Sequence, residues 1–308
     1  MSEGRNVGKI EDYPASSEIT LAMRPLLHPV FQRLNAGEPF GGISEFTFAN
    51  IYLFRDAHRY RVSIFEGGLL LIAGRDGEKR FFMLPSGLPS IEGFARLFNE
   101  FSFMKNASGT QAELLRASGY ATAEDRDNFD YLYSRAEMAS LAGRKFHKKK
   151  NLVNAFIGRY RCEGMPLTDE RINDALWILE EWRKEGGRGT HPQDGSAGDY
   201  VAAKEALENA RVLELCGGIY YVDGAPKAYA LGEELGPETF AVHFEKGADG
   251  GKGMRGLMQF VNMSFAGILP DRYKFINREQ DLGADGLRQA KESYRPAGFI
   301  KKYMVWKD

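Results

Sequence analysis

The sequence predicts an α+β protein made of two similar halves, each a mixed, largely antiparallel sheet flanked by helices. Three observations carry this reading. Turn-separated strand runs occur twice, the second set about 150 residues after the first, and each leads into the same order of helix, short strand or turn, helix, strand. The 308 residues, 43% apolar, 27% charged and 12% aromatic, are long enough for two soluble domains. Polar ATAEDRDN near residue 125 keeps no periodicity, which places domains at residues 1–125 and 126–308.

In the first half, RVSIF, GLLLIAG and KRFFMLP lie between Tyr60 and Pro85, separated by EGG and RDGE, the pattern of a three-strand meander. Ile91, Phe94, Leu97, Phe98 and Phe101 recur at three and four, predicting a helix from Ser90 to Met104; a second runs from Thr110 to Ala117, and Phe129 to Tyr133 reads as a strand. Between the halves, Arg135 to Tyr160 reads as one long helix carrying Met138, Leu141, Phe146, Leu152, Phe156 and Ile157. Thr168 to Lys184 keeps helical spacing through Ile172, Leu176, Leu179 and Trp182, with Asp169 and Glu170 suited to a first turn. Gly186 to Asp199, with five glycines and a proline, reads as a loop long enough to be a lid or binding element.

The second half supplies strands at Val212 to Cys216, Gly218 to Val222, Lys227 to Leu235 and Thr239 to Glu245, broken by GG and DGA. A helix from Met254 to Phe265 follows, then a strand from Tyr273 to Ile276, a helix from Asp285 to Glu292 and a closing strand from Lys301 to Val305.

Several function classes fall away. Forty-one basic against forty-two acidic residues give a formal charge of -1, so nucleic-acid affinity must come from a local patch. Cys162 and Cys216 cannot build a disulfide framework or a cysteine zinc site. The N-terminus lacks the apolar run of a signal peptide, and no stretch approaches the 18 or so apolar residues of a spanning helix. Together with ten methionines this fits a reducing interior, so a cytoplasmic protein is expected, peripheral to a membrane at most. His28, His58, His147, His191 and His243 show no metal-ligand spacing, and no bound metal is expected. Neither G-x-S-x-G nor a Walker A motif occurs.

Three clusters carry candidate chemistry. KGADGGKGMRG, Lys246 to Gly256, follows a strand and opens a helix, so its backbone amides suit a phosphate; Lys246, Gly251 and Gly253 are the candidate ligands. Gly251, Gly253 and Gly256 spell G-x-G-x-x-G, but an antiparallel meander precedes them, so a strand-to-helix loop gripping a pyrophosphate fits better than a Rossmann unit. A plain flexible turn is the ordinary alternative. In RKFHKKK, Arg144, His147 and Lys148 are candidates for donor phosphates; successive residues turn about 100°, so the run wraps its helix and a solvated basic surface is the alternative. Third, Asn277, Arg278, Glu279, Gln280 and Asp281 stand just past a strand end, with Lys291 and Tyr294 on the helix that follows. Their ordinary account is helix capping and an Arg278–Glu279 surface pair. Glu245 ends a strand beside the glycine loop, where burial suits a general base.

GRKFHKKKNLVNAF at Gly143 to Phe156, FEKGADGGKG at Phe244 to Gly253, SEFTFANIYLFR at Ser44 to Arg55 and above all FINREQDLGADGLRQAKESYRP at Phe275 to Pro296 resemble the C-terminal catalytic domain of phosphatidylglycerol lysyltransferases. The resemblance spans the chain from about residue 40 onward and implies two tandem acetyltransferase-like (GNAT-like) domains, with the site in the second. It implies an acyltransferase using aminoacyl-tRNA or acyl-CoA as co-substrate, with no tightly bound cofactor. The acceptor, a small molecule, a lipid head group or a peptide, stays open, because a protein without transmembrane helices need not act on a lipid. Both donors present an activated carbonyl that an amine or hydroxyl attacks directly. On this reading Lys291 and Arg278 face developing negative charge, Glu245 accepts the acceptor's proton, and Arg144, His147 and Lys148 hold donor phosphates. A binding module that kept the fold without the chemistry is the alternative from another class.

Overall fold

A computed structural model of the protein describes residues 9–185, 196–248 and 253–307. The chain forms two units, Met1–Phe129 with Ile300–Asp308, and Asp130–Phe299.

The first unit runs β1 (Ser17–Glu18), α1 (Arg24–Gly37), α2 (Phe48–Leu53), α3 (Arg55–His58), β2 (Arg61–Phe65), β3 (Leu69–Asp76), β4 (Lys79–Met83), α4 (Ile91–Glu100), β5 (Phe103–Ala107), α5 (Gly109–Ala117) and β6 (Ala121–Glu124). Its seven-stranded sheet has the order β1-β2-β3-β4-β5, then the C-terminal strand Tyr303–Trp306, then β6. The β4/β5 pair is parallel and the other described ladders are antiparallel. Ser90 starts α4 by accepting from Gly93 N at 3.0 Å, and Ser108 with Gln111 forms a capping box on α5. Their apolar faces, Phe94 and Leu97 on α4 and Leu115 on α5, pack with Phe82, Met104 and Val305 of the sheet.

Two expectations are corrected here. The helix predicted to Met104 stops at Glu100, because Phe101 turns extended (φ -116°, ψ 142°) to pack on Phe82, 5.5 Å between ring centroids, and the chain re-enters the sheet as β5. The closing strand, assigned above to the second domain of residues 126–308, lies between β5 and β6 of the first sheet. The α1 and α2 helices and β6 had no counterpart in the sequence reading.

The second unit runs β7 (Asp130–Ser134), α6 (Arg135–Ser140), α7 (His147–Arg159), β8 (Cys162–Pro166), α8 (Ile172–Lys184), α9 (Ser196–Glu208), α10 (Ala210–Leu213), β9 (Cys216–Val222), β10 (Ala225–Gly236), β11 (Thr239–Gly247), α11 (Leu257–Ile268), β12 (Phe275–Asn277), α12 (Asp285–Glu292) and β13 (Gly298–Ile300). The sheet order is β13-β7-β12-β11-β10-β9-β8. Thus both units are mixed sheets of seven strands flanked by helices, the α+β class expected.

Three departures are local. The long helix over Arg135–Tyr160 is broken: Leu141 (φ 45°) and Gly143 (φ 89°) take left-handed conformations that no helix continues through, and the break lets both Leu141 and Phe146 enter the core. Residues expected as a strand at Val212–Cys216 divide between α10 and the start of β9, with Glu214 left-handed between them. Of the predicted loop, residues 186–195 lie outside the described part and Ser196 onward begins α9.

Two features of this sheet position the site. First, β11 and β12 pair in parallel only through Thr239↔Phe275, Phe240↔Ile276 and Ala241↔Asn277, after which β11 runs on to Gly247 beside β10 but without β12. Second, the β10/β11 register jumps from Leu231↔Phe244 to Gly232↔Val242, leaving His243 as the extra residue of a bulge. Gly232 permits the close approach, since a Cβ there would lie 1.9 Å from the Ala241 carbonyl oxygen. The bulge reverses the side-chain alternation: Glu245 shares the face of Phe240 and Val242 with α6, α7 and α11, while Phe244 and Lys246 turn to the α8 face.

Candidate active site

Where the ladder between β11 and β12 ends, side chains take over the connection. Arg278, the first residue after β12, donates from Nη2 to Glu245 Oε2, and its backbone N–H donates to Tyr131 O at 2.9 Å. The two side chains are only 12% and 15% exposed, so each charge depends on the other. The guanidinium also lies 5.7 Å from the Tyr133 ring centroid and 5.4 Å from that of Tyr294. Burial alone would weaken its protonation, but the Glu245 carboxylate together with Tyr133 and Tyr294 outweighs burial and holds its pKa above the ordinary value. Among the described residues, Glu245 Oε1 accepts no hydrogen bond.

The turn carrying Arg278 is held from every side. Asn277 Oδ1 accepts from Glu279 N at 2.8 Å, its Nδ2 donates to Asp130 Oδ2 at 3.2 Å, and Glu279 sits left-handed at φ 54°. Buried Asp281 accepts from Tyr131 Oη (2.6 Å), Gly283 N (2.9 Å) and both Nε and Nη2 of Arg288 (2.9 and 2.8 Å). Burial opposes its ionisation, but these hydrogen bonds prevail and keep the carboxyl well below the usual range. Lys291, from α12, donates to the carbonyls of Arg278 (2.6 Å), Glu279 (3.1 Å) and Gln280 (2.5 Å). Burial and then the Arg278 charge push its pKa down to about 8.

Behind the turn, His243 donates from Nδ1 to Glu279 Oε1 (2.7 Å) and from Nε2 to Glu233 Oε1 (3.0 Å). Burial disfavours the charged ring, yet the two carboxylates raise its pKa to about 10, so it is an imidazolium at neutral pH. Across from it, Tyr294 accepts from Asn262 Nδ2 at 3.0 Å and meets Tyr133 edge-on at 6.4 Å. Lys149 places Nζ 4.3 Å from the Tyr294 ring centroid, and burial followed by the Arg278 charge lowers its pKa.

The sequence clusters therefore meet in part. Glu245, Arg278, Asn277, Glu279, Asp281, Lys291 and Tyr294 form one assembly. Asn277 and Asp281 shape it, Glu279 faces His243 rather than forming the expected pair with Arg278, and Lys291 has all three hydrogens on carbonyls. The role expected of Lys291 opposite a developing negative charge is thus corrected: it clamps the turn, and no N–H remains for a substrate. Lys246 is on the other face of the sheet, paired with Asp199 at 2.5 Å and 4.2 Å from the Trp182 ring centroid. Arg144, on the 3-10 turn Arg144–Phe146, and His147 and Lys148, on the first turn of α7, are exposed, and Lys149 is the basic member of that run that turns inward. Gly251 lies outside the described residues. Gly253 (φ 61°) precedes α11, whose N-cap Gly256 (φ 104°) has no side-chain cap. A Cβ on Gly256 would lie 2.7 Å from Leu152 O and 2.8 Å from Phe156 Cβ, so the end of the glycine stretch packs directly against α7.

Glu233 and Asn262 escaped the sequence reading, and His243 and Lys149 entered it only within the histidine list and the basic run. Only Lys149 left a signal: it is in phase with Val153 and Phe156, the buried stripe of α7. Chemically, the assembly offers a carboxylate with one free oxygen beside a guanidinium, walled by tyrosines, a combination suited to taking a proton and balancing negative charge.

The model for the phosphatidylglycerol lysyltransferase C-terminal region matches residues 42–306, and the chain belongs to that family. A conserved protein of unknown function from Bacteroides thetaiotaomicron is 30% identical and superposes with a TM-score of 0.82 over 95% of this chain and 99% of its own. The L-PGS structure from Bacillus licheniformis, 12% identical, has a TM-score of 0.60 over 97% of this chain and 94% of that one, showing the same fold. An uncharacterized protein of Mycoplasmoides gallisepticum is 22% identical over 208 residues, 66% of this chain, and the match spans 64% of that relative's length. Among the described residues no helix is long and apolar enough to cross a membrane, and no group of three or more His, Cys, Asp or Glu residues could hold a metal.

Proposed function

We propose that the second unit transfers an activated acyl group, an aminoacyl group carried by tRNA, to an amine or hydroxyl acceptor. The observation that carries this reading is the Glu245–Arg278 pair, placed where β11 and β12 part and leaving one carboxylate oxygen unoccupied. The acceptor's nitrogen or oxygen attacks the ester carbonyl carbon and forms the new bond. Glu245 takes the acceptor's proton, the bond from carbonyl carbon to ribose oxygen breaks, and the proton passes to that leaving oxygen. Arg278 balances the negative charge of the tetrahedral intermediate, with its turn fixed by Lys291 and His243. Exposed Arg144 and Lys148 supply cationic groups for donor phosphates, with the His147 ring beside them as a hydrogen-bond donor. The reaction needs no metal and no bound cofactor.

Acyl-CoA as donor is the second reading, favoured by the uncapped N-terminus of α11 behind Gly253 and Gly256. Transfer from radiolabelled lysyl- or alanyl-tRNA and from acetyl-CoA to amine and glycerol acceptors separates the two. Glu245→Gln is expected to lower turnover about 100-fold or more with the donor's affinity retained. Unchanged turnover in that variant would remove Glu245 from the chemistry, and the absence of transfer from either donor would overturn the reading.

A further inference from the structure

Lys246 and Tyr229 lie on the face of the second sheet opposite Glu245, and the proposed chemistry uses neither. They are register partners on β11 and β10, so their side chains stand side by side on the α8 face. Lys246 is 8% exposed, with Nζ 2.5 Å from Asp199 Oδ2 of α9 and 4.2 Å from the Trp182 ring centroid. Among the described residues that carboxylate is its one hydrogen-bond partner, so two of its three N–H groups are unspent, and Asp199 Oδ1 accepts nothing. Tyr229 is fully buried, and its hydroxyl has no hydrogen-bond partner among the described residues. Burial and then the Asp199 carboxylate push the pKa of that hydroxyl well above its ordinary value, so the phenol ends within the field of the carboxylate. Exposure falls from Asp199, at 38%, through Lys246 to Tyr229: the cluster is entered at the carboxylate and closes on the phenol. An unsatisfied hydroxyl in a core costs free energy that phenylalanine at the same place would not, so packing alone does not account for Tyr229.

We propose that Tyr229, Lys246 and Asp199 form a binding site for an uncharged carboxamide, on the side of β11 turned away from Glu245. Charge decides the class of ligand. Lys246 and Asp199 already cancel, so a further anion or cation would leave a net charge in a largely buried site, whereas a neutral dipole leaves none. Hydrogen-bonding capacity then decides the group. The cluster sets three donors, the Tyr229 O–H and two Lys246 N–H groups, next to one accepting carboxylate oxygen. A carboxamide is the complement: its carbonyl oxygen takes the donors and its N–H goes to Asp199 Oδ1. Trp182 supplies an aromatic wall beside the ammonium. Along α9 the positions three, four and seven residues after Asp199 are Ala202, Ala203 and Ala206, all buried, so the helix brings only methyl groups to the face that carries the carboxylate. Glu245 and Lys246 are consecutive on β11 and point to opposite sides of the sheet, which keeps this site apart from the Glu245–Arg278 pair. Nothing in the assignment depends on the transfer reaction.

The probes are propionamide, propionate and propylammonium, alike in carbon skeleton and different in charge, titrated into the full chain at neutral pH and followed by saturation-transfer NMR. Propionamide is expected to bind, weakly for so small a ligand, and about tenfold or more tighter than either ion. Tyr229→Phe is expected to weaken it about fivefold to tenfold while the thermal midpoint stays level or rises, a combination that a purely structural hydroxyl does not give. Lys246→Met is expected to abolish binding, and Lys204→Met, which removes an exposed charge from α9 beside Glu208, to leave it unchanged. Circular dichroism checks the folding of Lys246→Met, and Tyr229→Phe keeps the test decisive if that variant does not fold. Tighter binding of either ion, no binding of propionamide to the unmodified protein, or binding that Tyr229→Phe leaves intact would overturn the site. Glu245→Gln is expected to bind propionamide as the unmodified protein does; a loss there would put the amide at the Glu245–Arg278 pair and overturn the assignment as well.

Discussion

His243 makes the sharpest quantitative test of the site's construction. Its ring is 1% exposed and gives both N–H groups to carboxylates, at 2.7 Å to Glu279 and 3.0 Å to Glu233. The folded pKa is raised to about 10, from about 6.5 in an unfolded chain. A raised folded pKa means that the native state keeps a proton that the unfolded state has released, so the contribution is complete below pH 6.5 and is lost as pH rises through about 10. At 1.36 kcal/mol per unit the shift corresponds to on the order of 5 kcal/mol. Lys291 works with the opposite sign: with a folded pKa lowered to about 8, it adds stability as pH climbs from there toward its ordinary value. The unmodified protein therefore shows a muted slope, and the informative quantity is its difference from His243→Gln. That variant leaves two buried carboxylates facing an uncharged amide and is expected to be less stable by about 3–5 kcal/mol at pH 6, with the gap narrowing steadily from about pH 6.5 to pH 10. Urea midpoints at unit steps from pH 6 to 10 measure it. A gap that stays constant across that range would show that the ring is held neutral and that the clamp is not ionic.

Two further perturbations probe the supports around the pair. Lys291→Met strips the donor from three carbonyls and is expected to lower stability by about 3 kcal/mol together with turnover; a variant of normal thermal stability but no activity would return Lys291 to the chemistry. Gly256→Ala must hold a Cβ at φ 104° and 2.7 Å from Leu152 O, so a loss of about 2 kcal/mol or more is expected by chemical denaturation, and a neutral result would mean that α7 and α11 are not locked at this point.

Elements with unbroken periodicity were legible in the sequence. The α12 helix has the bounds its spacing predicted, Asp285–Glu292, and the meander of β2 to β4 falls on the three predicted runs. The helix over Arg135–Tyr160 misled because the apolar spacing carries across the left-handed residues Leu141 and Gly143, and a spacing pattern does not register a break that preserves its phase. In the site, residue types were legible but depth was not. Lys148 and Lys149 are equal in sequence, and only the sum of Val153 and Phe156 on one helical face decides which turns inward. Lys291 reads as a catalytic cation until its three carbonyls, from residues 278 to 280, are known to converge on it. His243 draws its partners from β10 and from the turn after β12, and that meeting is fixed by sheet order and a bulge rather than by any local motif.

The strand Tyr303–Trp306, seated between β5 and β6, bears on how the molecule is made. A ribosome delivers residues in order, so β5 and β6 emerge early yet must wait, with facing backbone edges unpaired, until roughly 180 more residues have been synthesised. The intervening sheet, complete within residues 130–300, has all its strands in hand before then. Thus the half begun first is the half finished last, and the interval during which its edges β5 and β6 stand open is the one in which a nascent chain needs shielding from its neighbours.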